Sequence, residues 1–528
     1  MSEISWWKHG VIYQIYPRSF QDTDGDGVGD LKGIGERLEY LQWLGVDAIW
    51  ISPIYPSPMA DFGYDVSNYC DVDPLFGSLD DFDHLVASAH ARDLKVILDF
   101  VPNHTSDRHP WFLESRSSRT NSRRDWYIWR DGKADGSPPN NWLSQFGGPA
   151  WTFDHKTGQY YLHSFLREQP DLNWRNPAVR AAMYDVLRFW LDRGVDGFRV
   201  DVIWLLIKDA ELRDNPLNPN YRPTDAGITR LLPLYSADQP ETHDIVAEMR
   251  AVLDEYGDRV LIGEIYLPIE RLVTYYGKDL GGAHLPFNFQ LIHTAWTAPA
   301  IAKLVTEYED ALPPGGWPNW VLGNHDQPRI AARVGTAQAR VAAMLLLTLR
   351  GTPTMYYGDE LGIGKVTIPF EAMQDPWEKN EPGLGLSRDP SRTPFQWDAT
   401  ANAGFSHGHP WLPLDPSYKT CNVAALRNDP SSLLALYRRL LSIRRQYPAL
   451  SSGSFQLVGA QGNALVYQRV AEGQRILICL NFGDTEQPIT RQEFSGATIL
   501  VSTHLDREAL DSSLVLRPNE GLTILMAS

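Results

Sequence analysis

Cysteine is nearly absent, with Cys70, Cys421 and Cys479 the only three in 528 residues. They stand far apart with no CxxC or CxH spacing, which excludes a disulfide framework and a cysteine-based zinc site and points to a reducing compartment. Positive charge is also scarce. Lys and Arg number 48 against 65 Asp and Glu, a net charge of −17. A field of that sign repels phosphates and argues against nucleic acid and anionic membranes as partners. Long apolar runs are missing too; Val341–Leu349 covers about half of a membrane span. Met1–Lys8 has neither a basic stretch nor an apolar one, so no leader is expected and the chain reads as soluble and cytoplasmic. No low-complexity segment interrupts it.

What is present is an ordinary globular composition, 43% hydrophobic and 21% charged, enough to bury a large core. Buried strands alternate with amphipathic helices. The strands are expected at Val11–Tyr16, Val46–Ser52, Lys95–Phe100, Asp196–Val200, Arg259–Gly263, His284–Phe289, Asn319–Gly323 and Pro353–Tyr357. Between them, Ile34, Leu38, Leu41 and Leu44 mark one helix closed by Gly45. Ser78 with Asp81 caps a second, and Asn176-Pro177 starts a third. Eight parallel strands with helices between them predict a closed α/β barrel of the (β/α)8 type. The rhythm lapses after the third strand, and after about residue 450 it gives way to short strands without helices. The predicted organisation is therefore a barrel over 1–104 and 173–449, an irregular inserted domain over 105–172, and an antiparallel β-sandwich domain over 450–528.

Barrels of this kind place chemistry at the C-terminal ends of their strands. There the chain carries His104 after strand three, Arg199 and Asp201 on strand four, Glu264 after strand five, and His325 and Asp326 after strand seven. Arg199 and Asp201 are two residues apart and share a strand face, so the guanidinium can keep that carboxylate ionised. One carboxylate to attack an anomeric carbon and one carboxyl to protonate a leaving oxygen are the two parts of a retaining glycosidase. Six polar groups at four strand ends are poorly explained as solvated loop residues.

Seven ordered motifs carry a resemblance that covers almost the whole chain. They are Gly10–Pro17, Asp99–His104, Gln169-Pro170-Asp171-Leu172-Asn173, Gly197–Asp201, Gly263-Glu264, Asn324–Asp326 and Gly358–Gly362. The sequence resembles the α-amylase family of glycoside hydrolases, in its oligo-1,6-glucosidase and α-glucosidase branch. The resemblance implies Asp201 as nucleophile, Glu264 as general acid/base and Asp326 as transition-state stabiliser, with His104, Arg199 and His325 binding the sugar. It implies that Asp61 and Arg388 clamp the 4-hydroxyl of a terminal glucose, with Arg392 a nearby competitor for the second role, and that Tyr64 stacks on that glucose. Phe146 and Phe165 would wall the leaving-group side. Val202, after the nucleophile, would touch the scissile bond; valine there fits α-1,6 enzymes, while the loop from Lys208 to Pro216 looks more like α-1,4 enzymes.

Asp22-Thr23-Asp24-Gly25-Asp26-Gly27-Val28-Gly29-Asp30 places acids at positions 1, 3, 5 and 9 of an oxygen-ligand loop, with the Val28 carbonyl at position 7. Gly33 stands where an EF-hand needs its glutamate. Similar loops in this branch hold a structural Ca2+ or Mg2+, so Asp22, Asp24, Asp26, Val28 and Asp30 are the expected ligands. The expected function is an exo-acting retaining α-glucosidase on short α-glucosides, able to transfer glucose to acceptors other than water. The alternatives are an oligo-1,6-glucosidase, a sucrose- or trehalose-acting transglycosidase of the same fold, and, remotely, a non-catalytic transporter-associated relative. Small sugars are the expected partners, and no organic cofactor is expected.

Overall fold

The structure, a computed structural model, describes residues 5–489, 494–510 and 514–527; of the segment read for a leader, residues 1–4 lie outside the described residues. All eight expected barrel strands form, as Ile12–Ile15, Ala48–Ile51, Lys95–Phe100, Gly197–Val200, Val260–Gly263, Leu285–Pro286, Asn319–Val321 and Thr352–Tyr356. They run parallel in ring order, with the eighth strand paired to both the first and the seventh. A parallel bridge between Asn288 and Trp320 joins the sixth strand's end to the seventh. The sixth strand is shorter than its apolar run because Pro286 lacks an N–H and Phe289 already has helical dihedrals.

Strand residues alternate between two cores. Ile12, Ala48, Trp50, Ile97, Val260, Ile262, Leu285 and Val321 fill the barrel interior, while Tyr13, Ile15, Ile49, Ile51, Val96, Leu98 and Leu261 pack outward against the helices. This period of two decides what the barrel mouth displays. Gln14 follows Ile12 on the inner face, Asp99 follows Ile97, and Glu264 follows Ile262. Asp99 stands in register with Arg199, and Arg199 with Ile262, so the inner face passes from apolar to charged within one residue pair.

Local signals set the helices. Ser78 and Asp81 close a reciprocal capping box on Leu79–His90, and Asn176 caps Pro177–Asp192 with proline in its first turn. Such caps contribute about 1 kcal/mol each. The single helix expected over Ile34–Leu44 is two, Leu31–Glu36 and Leu38–Leu44, because Arg37 leaves helical dihedrals. Gly45 ends the second at φ 101, a left-handed conformation that favours glycine.

The inserted segment contributes the three-stranded antiparallel sheet Trp129–Arg130, Trp151–Asp154 and Gln159–Leu162. The tail forms a five-stranded antiparallel sheet, Ser454–Gln461, Ala464–Ala471, Gln474–Asn481, Gly521–Leu525 and Thr498–Ser502 in spatial order. Two short strands not foreseen, Gln487–Ile489 and Leu514–Leu516, pair as a second sheet. Leu477, Cys479 and Ile524 of the larger sheet meet Leu514 and Leu516 of the smaller in one apolar cluster, as in a sandwich. Among the described residues one helix, Ile330–Thr348, is long and apolar enough to cross a membrane, beyond the half-span read at Val341–Leu349. Most of it is buried, and it packs on Leu433–Gln446 and the tail sheet; its apolar surface is core.

Candidate active site

Arg199 organises the barrel mouth. It is fully buried, and its guanidinium touches three carboxylates from three strands. Nη1 donates to Asp99 Oδ1 at 2.7 Å and to Asp201 Oδ1 at 2.8 Å, and Nη2 lies 2.6 Å from Glu264 Oε2. Burial opposes its charge, but the three acids hold its proton firmly. Burial raises Asp99 to about 6 against the pull of Arg199. Burial likewise raises Glu264, with the Asp326 charge adding to it and Arg199 opposing. Asp201 is raised by burial and by Glu264 and Asp99, again against Arg199.

Val202 follows Asp201 at φ 38, a left-handed conformation that costs a β-branched residue of order 1–3 kcal/mol. The strained turn aims its N–H at Glu264 Oε2, 2.9 Å away. Glu264 Oε2 thus meets both the Arg199 guanidinium and the Val202 N–H.

Asp326 sits across the pocket. Its Oδ1 accepts from Arg392 Nη2 at 2.8 Å and Arg388 Nη1 at 3.3 Å, and Oδ2 lies 3.2 Å from His325 Nε2. Burial opposes its ionisation, yet the guanidiniums of Arg388 and Arg392 hold its carboxyl well below the usual range. Burial keeps His325 neutral. Its Nδ1 meets Gln14 Nε2 at 2.9 Å and its Nε2 meets the Tyr64 hydroxyl at 2.6 Å. The Tyr64 ring stacks on this imidazole at 5.2 Å and 3°.

Asp61 and Arg388 meet, with Nη2 2.7 Å from Oδ1. Gln169 adds a second donor to Asp61 at 3.2 Å. The competition between two arginines resolves by division of labour. Arg388 reaches both Asp61 and Asp326, whereas Arg392 binds Asp326 and the His325 carbonyl and lies over the Tyr16 ring. His104 Nε2 donates to the Tyr64 carbonyl at 3.0 Å and lies 3.1 Å from Gln169 Nε2; burial lowers it to about 4, so it is neutral.

A cavity of about 440 Å³ opens above this floor. Asp201, Glu264 and Asp326 line it, as do Asp61, Tyr64, His104 and Arg388. So do Val202, Phe146 and Phe165, the two phenylalanines edge to face at 5.6 Å. Arg199 and His325 lie just beneath. The remaining wall comes from loops, with Trp204, Ile228, Tyr266 and Trp377 among it.

Several residues of this site escaped the reading of the sequence. Asp99 bridges Arg199, the Tyr64 hydroxyl at 3.1 Å and the Trp50 indole at 3.2 Å. Its spacing from Ile97 was a signal in the sequence; its register with Arg199 is supplied only by the fold. Asp375 grips Arg388 through the backbone N–H at 2.5 Å and through Nε and Nη2 at 3.0 and 2.7 Å. It sits in an irregular loop, where no periodicity marks it. Lys208 and Asp171 form a buried pair at 2.7 Å below His104.

The acidic loop folds back on itself. One carboxylate oxygen from each of Asp22, Asp24 and Asp30 falls within 4.8 Å of the others. Asp26 is not part of that triplet; its Oδ1 instead accepts the Val28 N–H at 2.7 Å. Asp22 accepts N–H groups of Asp24, Gly25 and Gly27, and Asp30 those of Thr23 and Gly33. Three converging carboxylates and no nitrogen or sulfur donor fit a hard, oxygen-seeking divalent cation.

Comparison with known proteins adds independent findings. A signature described as the alpha amylase catalytic domain matches residues 14–453. A probable alpha-glucosidase of Rhizobium meliloti (strain 1021) is 44% identical over 523 residues, covering 95% of each chain. An oligo-1,6-glucosidase of Parageobacillus thermoglucosidasius is 39% identical, covering 98% of each chain. The solved structure of the alpha-glucosyl transfer enzyme XgtA superposes with a TM-score of 0.95 at 41% identity, over 99% of this chain and 100% of that one.

Proposed function

The chain belongs to the α-amylase family of glycoside hydrolases, and from that premise we propose that it is an exo-acting α-glucosidase that releases glucose from short α-glucosides with retention of configuration. The observation that carries this reading is the shared guanidinium of Arg199, which brackets Asp201 and Glu264 at 2.8 and 2.6 Å. It holds two carboxyl groups side by side at the barrel mouth, the two acids that a retaining pair requires.

Asp201 and Glu264 are coupled, and one proton serves the pair. Burial raises both acids, and attack begins when the proton is on Glu264 and Asp201 is ionised. Asp201 accepts an aligned Arg199 hydrogen bond that favours its charge. Glu264 gives its proton to the leaving oxygen as Asp201 attacks the anomeric carbon. The leaving sugar departs, and Glu264, now ionised, takes a proton from water, which opens the glucosyl ester. An acceptor hydroxyl in place of water gives glucosyl transfer, the activity named for XgtA. Asp326, anchored by two arginines, binds hydroxyls and favours the positive transition state.

Asp61 and Arg388 close the pocket beyond the glucose, which restricts attack to the non-reducing end. Asp22, Asp24 and Asp30 of the Asp22–Asp30 loop would hold a structural Ca2+ or Mg2+; the ion would stiffen the first loop of the barrel and would take no part in bond cleavage. A cytoplasmic location is consistent with the scarce, unpaired cysteines.

The deciding experiment follows glucose release from maltose and isomaltose by the purified protein with calcium. Turnover of either supports the reading, and the ratio of the two kcat/KM values sets the linkage. No glucose from either overturns it.

A further inference from the structure

The His325 ring is held at both nitrogens, and at Nδ1 it is held by a residue with no part in the chemistry derived above. Gln14 lies on the first barrel strand, two residues after Ile12 on the inner face, and is fully buried. Its Nε2 donates to His325 Nδ1 at 2.9 Å and to Ser52 Oγ, just past the second strand, at 3.2 Å. An amide N–H can only donate. Nδ1 must therefore present a lone pair, and the one proton of the neutral imidazole sits on Nε2. That N–H faces the Tyr64 hydroxyl at 2.6 Å and Asp326 Oδ2 at 3.2 Å. The Tyr64 hydroxyl is then left to donate onward to Asp99 Oδ2 at 3.1 Å, and Asp99 Oδ1 accepts from Arg199. One directed chain of donors runs from the first strand, through His325 and Tyr64, to the acid that shares a guanidinium with the nucleophile.

The Gln14 amide has one tenable orientation. Its Oε1 is buried and has no partner among the described residues. Turning the amide over would give that oxygen the Ser52 hydroxyl and a proton on Nδ1. It would also strip Nε2 of its proton, set a lone pair against the Asp326 carboxylate and draw the Tyr64 hydroxyl away from Asp99. The charged groups that act on the ring are Asp326, Arg392, Arg199 and Arg388, and the rings of Tyr16 and Tyr64 stack on it. Among the described residues Gln14 is the one hydrogen-bond partner of Nδ1.

We propose that Gln14 is a positioning residue for the reaction: it fixes the His325 ring and keeps a second proton off Nδ1, so that His325 stays neutral with its Nε2–H toward Asp326 and the bound sugar. With Nδ1 bare, a proton can bind there, and an imidazolium beside Asp326 cancels the charge that favours the transition state. This rests on the α-glucosidase reading above.

The test compares full-length wild type, Gln14→Leu, His325→Ala and the double variant on 4-nitrophenyl α-glucoside, with melting temperatures to establish folding. In Gln14→Leu kcat/KM is expected to fall about 10- to 100-fold, chiefly through kcat. Because Gln14 acts through His325, the same change in the His325→Ala background should alter kcat/KM by less than about twofold. Nitrogen-15 NMR of histidine-labelled protein supplies a second readout; the His325 signals are those missing from His325→Ala. In the wild type Nδ1 should be bare and Nε2 protonated across the active pH range. In Gln14→Leu the Nδ1 signal should move toward its protonated position as pH falls, and the acid limb of the rate profile should move to higher pH with it. A folded Gln14→Leu protein with unchanged kcat/KM overturns the proposal, as does an equal loss in both backgrounds, which marks a general structural effect. A wild-type Nδ1 that carries a proton overturns it even if Gln14→Leu fails to fold. A wild type that turns over no α-glucoside overturns the α-glucosidase reading, while the protonation of the ring still judges what Gln14 does to His325.

Discussion

The floor and the mouth of the pocket are built on different terms. The floor is a lattice of buried charges at strand ends, with Arg199 between three acids and Asp326 between two arginines. Its geometry is imposed by the barrel, whose strand register leaves each side chain one direction to point. The mouth is apolar and aromatic, drawn from loops distant in sequence, and held by a few hydrogen bonds, such as that from the Gly227 N–H to Glu381 Oε1. Chemistry requires preorganised charge, which only rigid strands supply. Choice of leaving group requires shape, which loops can vary without disturbing the charges.

Variants of the floor should therefore abolish turnover where variants of the mouth redirect it. Asp201→Asn should lower kcat/KM on maltose by about 10⁴-fold or more, since a unit of nucleophile and acid fails together. Glu264→Gln should cost about 10²–10⁴-fold on the same sugar. It should cost much less on 4-nitrophenyl α-glucoside, whose leaving group needs no proton. The pH profile sharpens this. Burial raises the Glu264 pKa, so the acid is in its working, protonated form below that value and activity falls as pH rises through it. The basic limb of kcat/KM should then lie above the ordinary glutamate range and vanish in Glu264→Gln. A limb that survives the substitution would give the acid role to another group.

Asp375 tests the floor at one remove. Asp375→Ala leaves Arg388 with only Asp61 and Asp326, and breaking a buried pair typically costs about 3–5 kcal/mol. The expected result is a folded protein with kcat/KM reduced about 10²-fold and weaker glucose inhibition. At the mouth, Phe165→Ala should change KM for disaccharides a few-fold and leave kcat nearly intact, measured by the same glucose assay. A fall in kcat as large as that of Asp375→Ala would erase the distinction between the two regions. The smallest effect on activity belongs to the acidic loop. Chelation should lower the melting temperature by a few degrees with kinetics unchanged at 25 °C, and Asp22→Asn should lose that response.

The barrel was legible because eight buried strands and their helices each leave a local periodic trace. The floor was legible in part, through residues that sit at predictable strand ends. Asp99 shows the limit of that reading. It ends a strand as plainly as Asp201 does, but an acid there acquires meaning only when register sets it against Arg199. The helix over residues 31–44 shows another limit, since apolar spacing at helical period continues across the break at Arg37 and does not reveal it.

The amino-acid order by itself determined the βα rhythm, the inner and outer faces of each strand, the caps, the acids at the strand ends and the converging aspartates of the first loop. These follow from hydrogen bonding and periodicity within a few residues. Only the tertiary structure decided that Arg388 rather than Arg392 meets Asp61, that Asp375 holds it there, and that Glu381 meets Gly227 of the loop after the fourth strand. Those pairings span from 13 to 327 residues along the chain. Loops have no periodicity from which a partner could be read; closure of the barrel is what brings them within reach of one another.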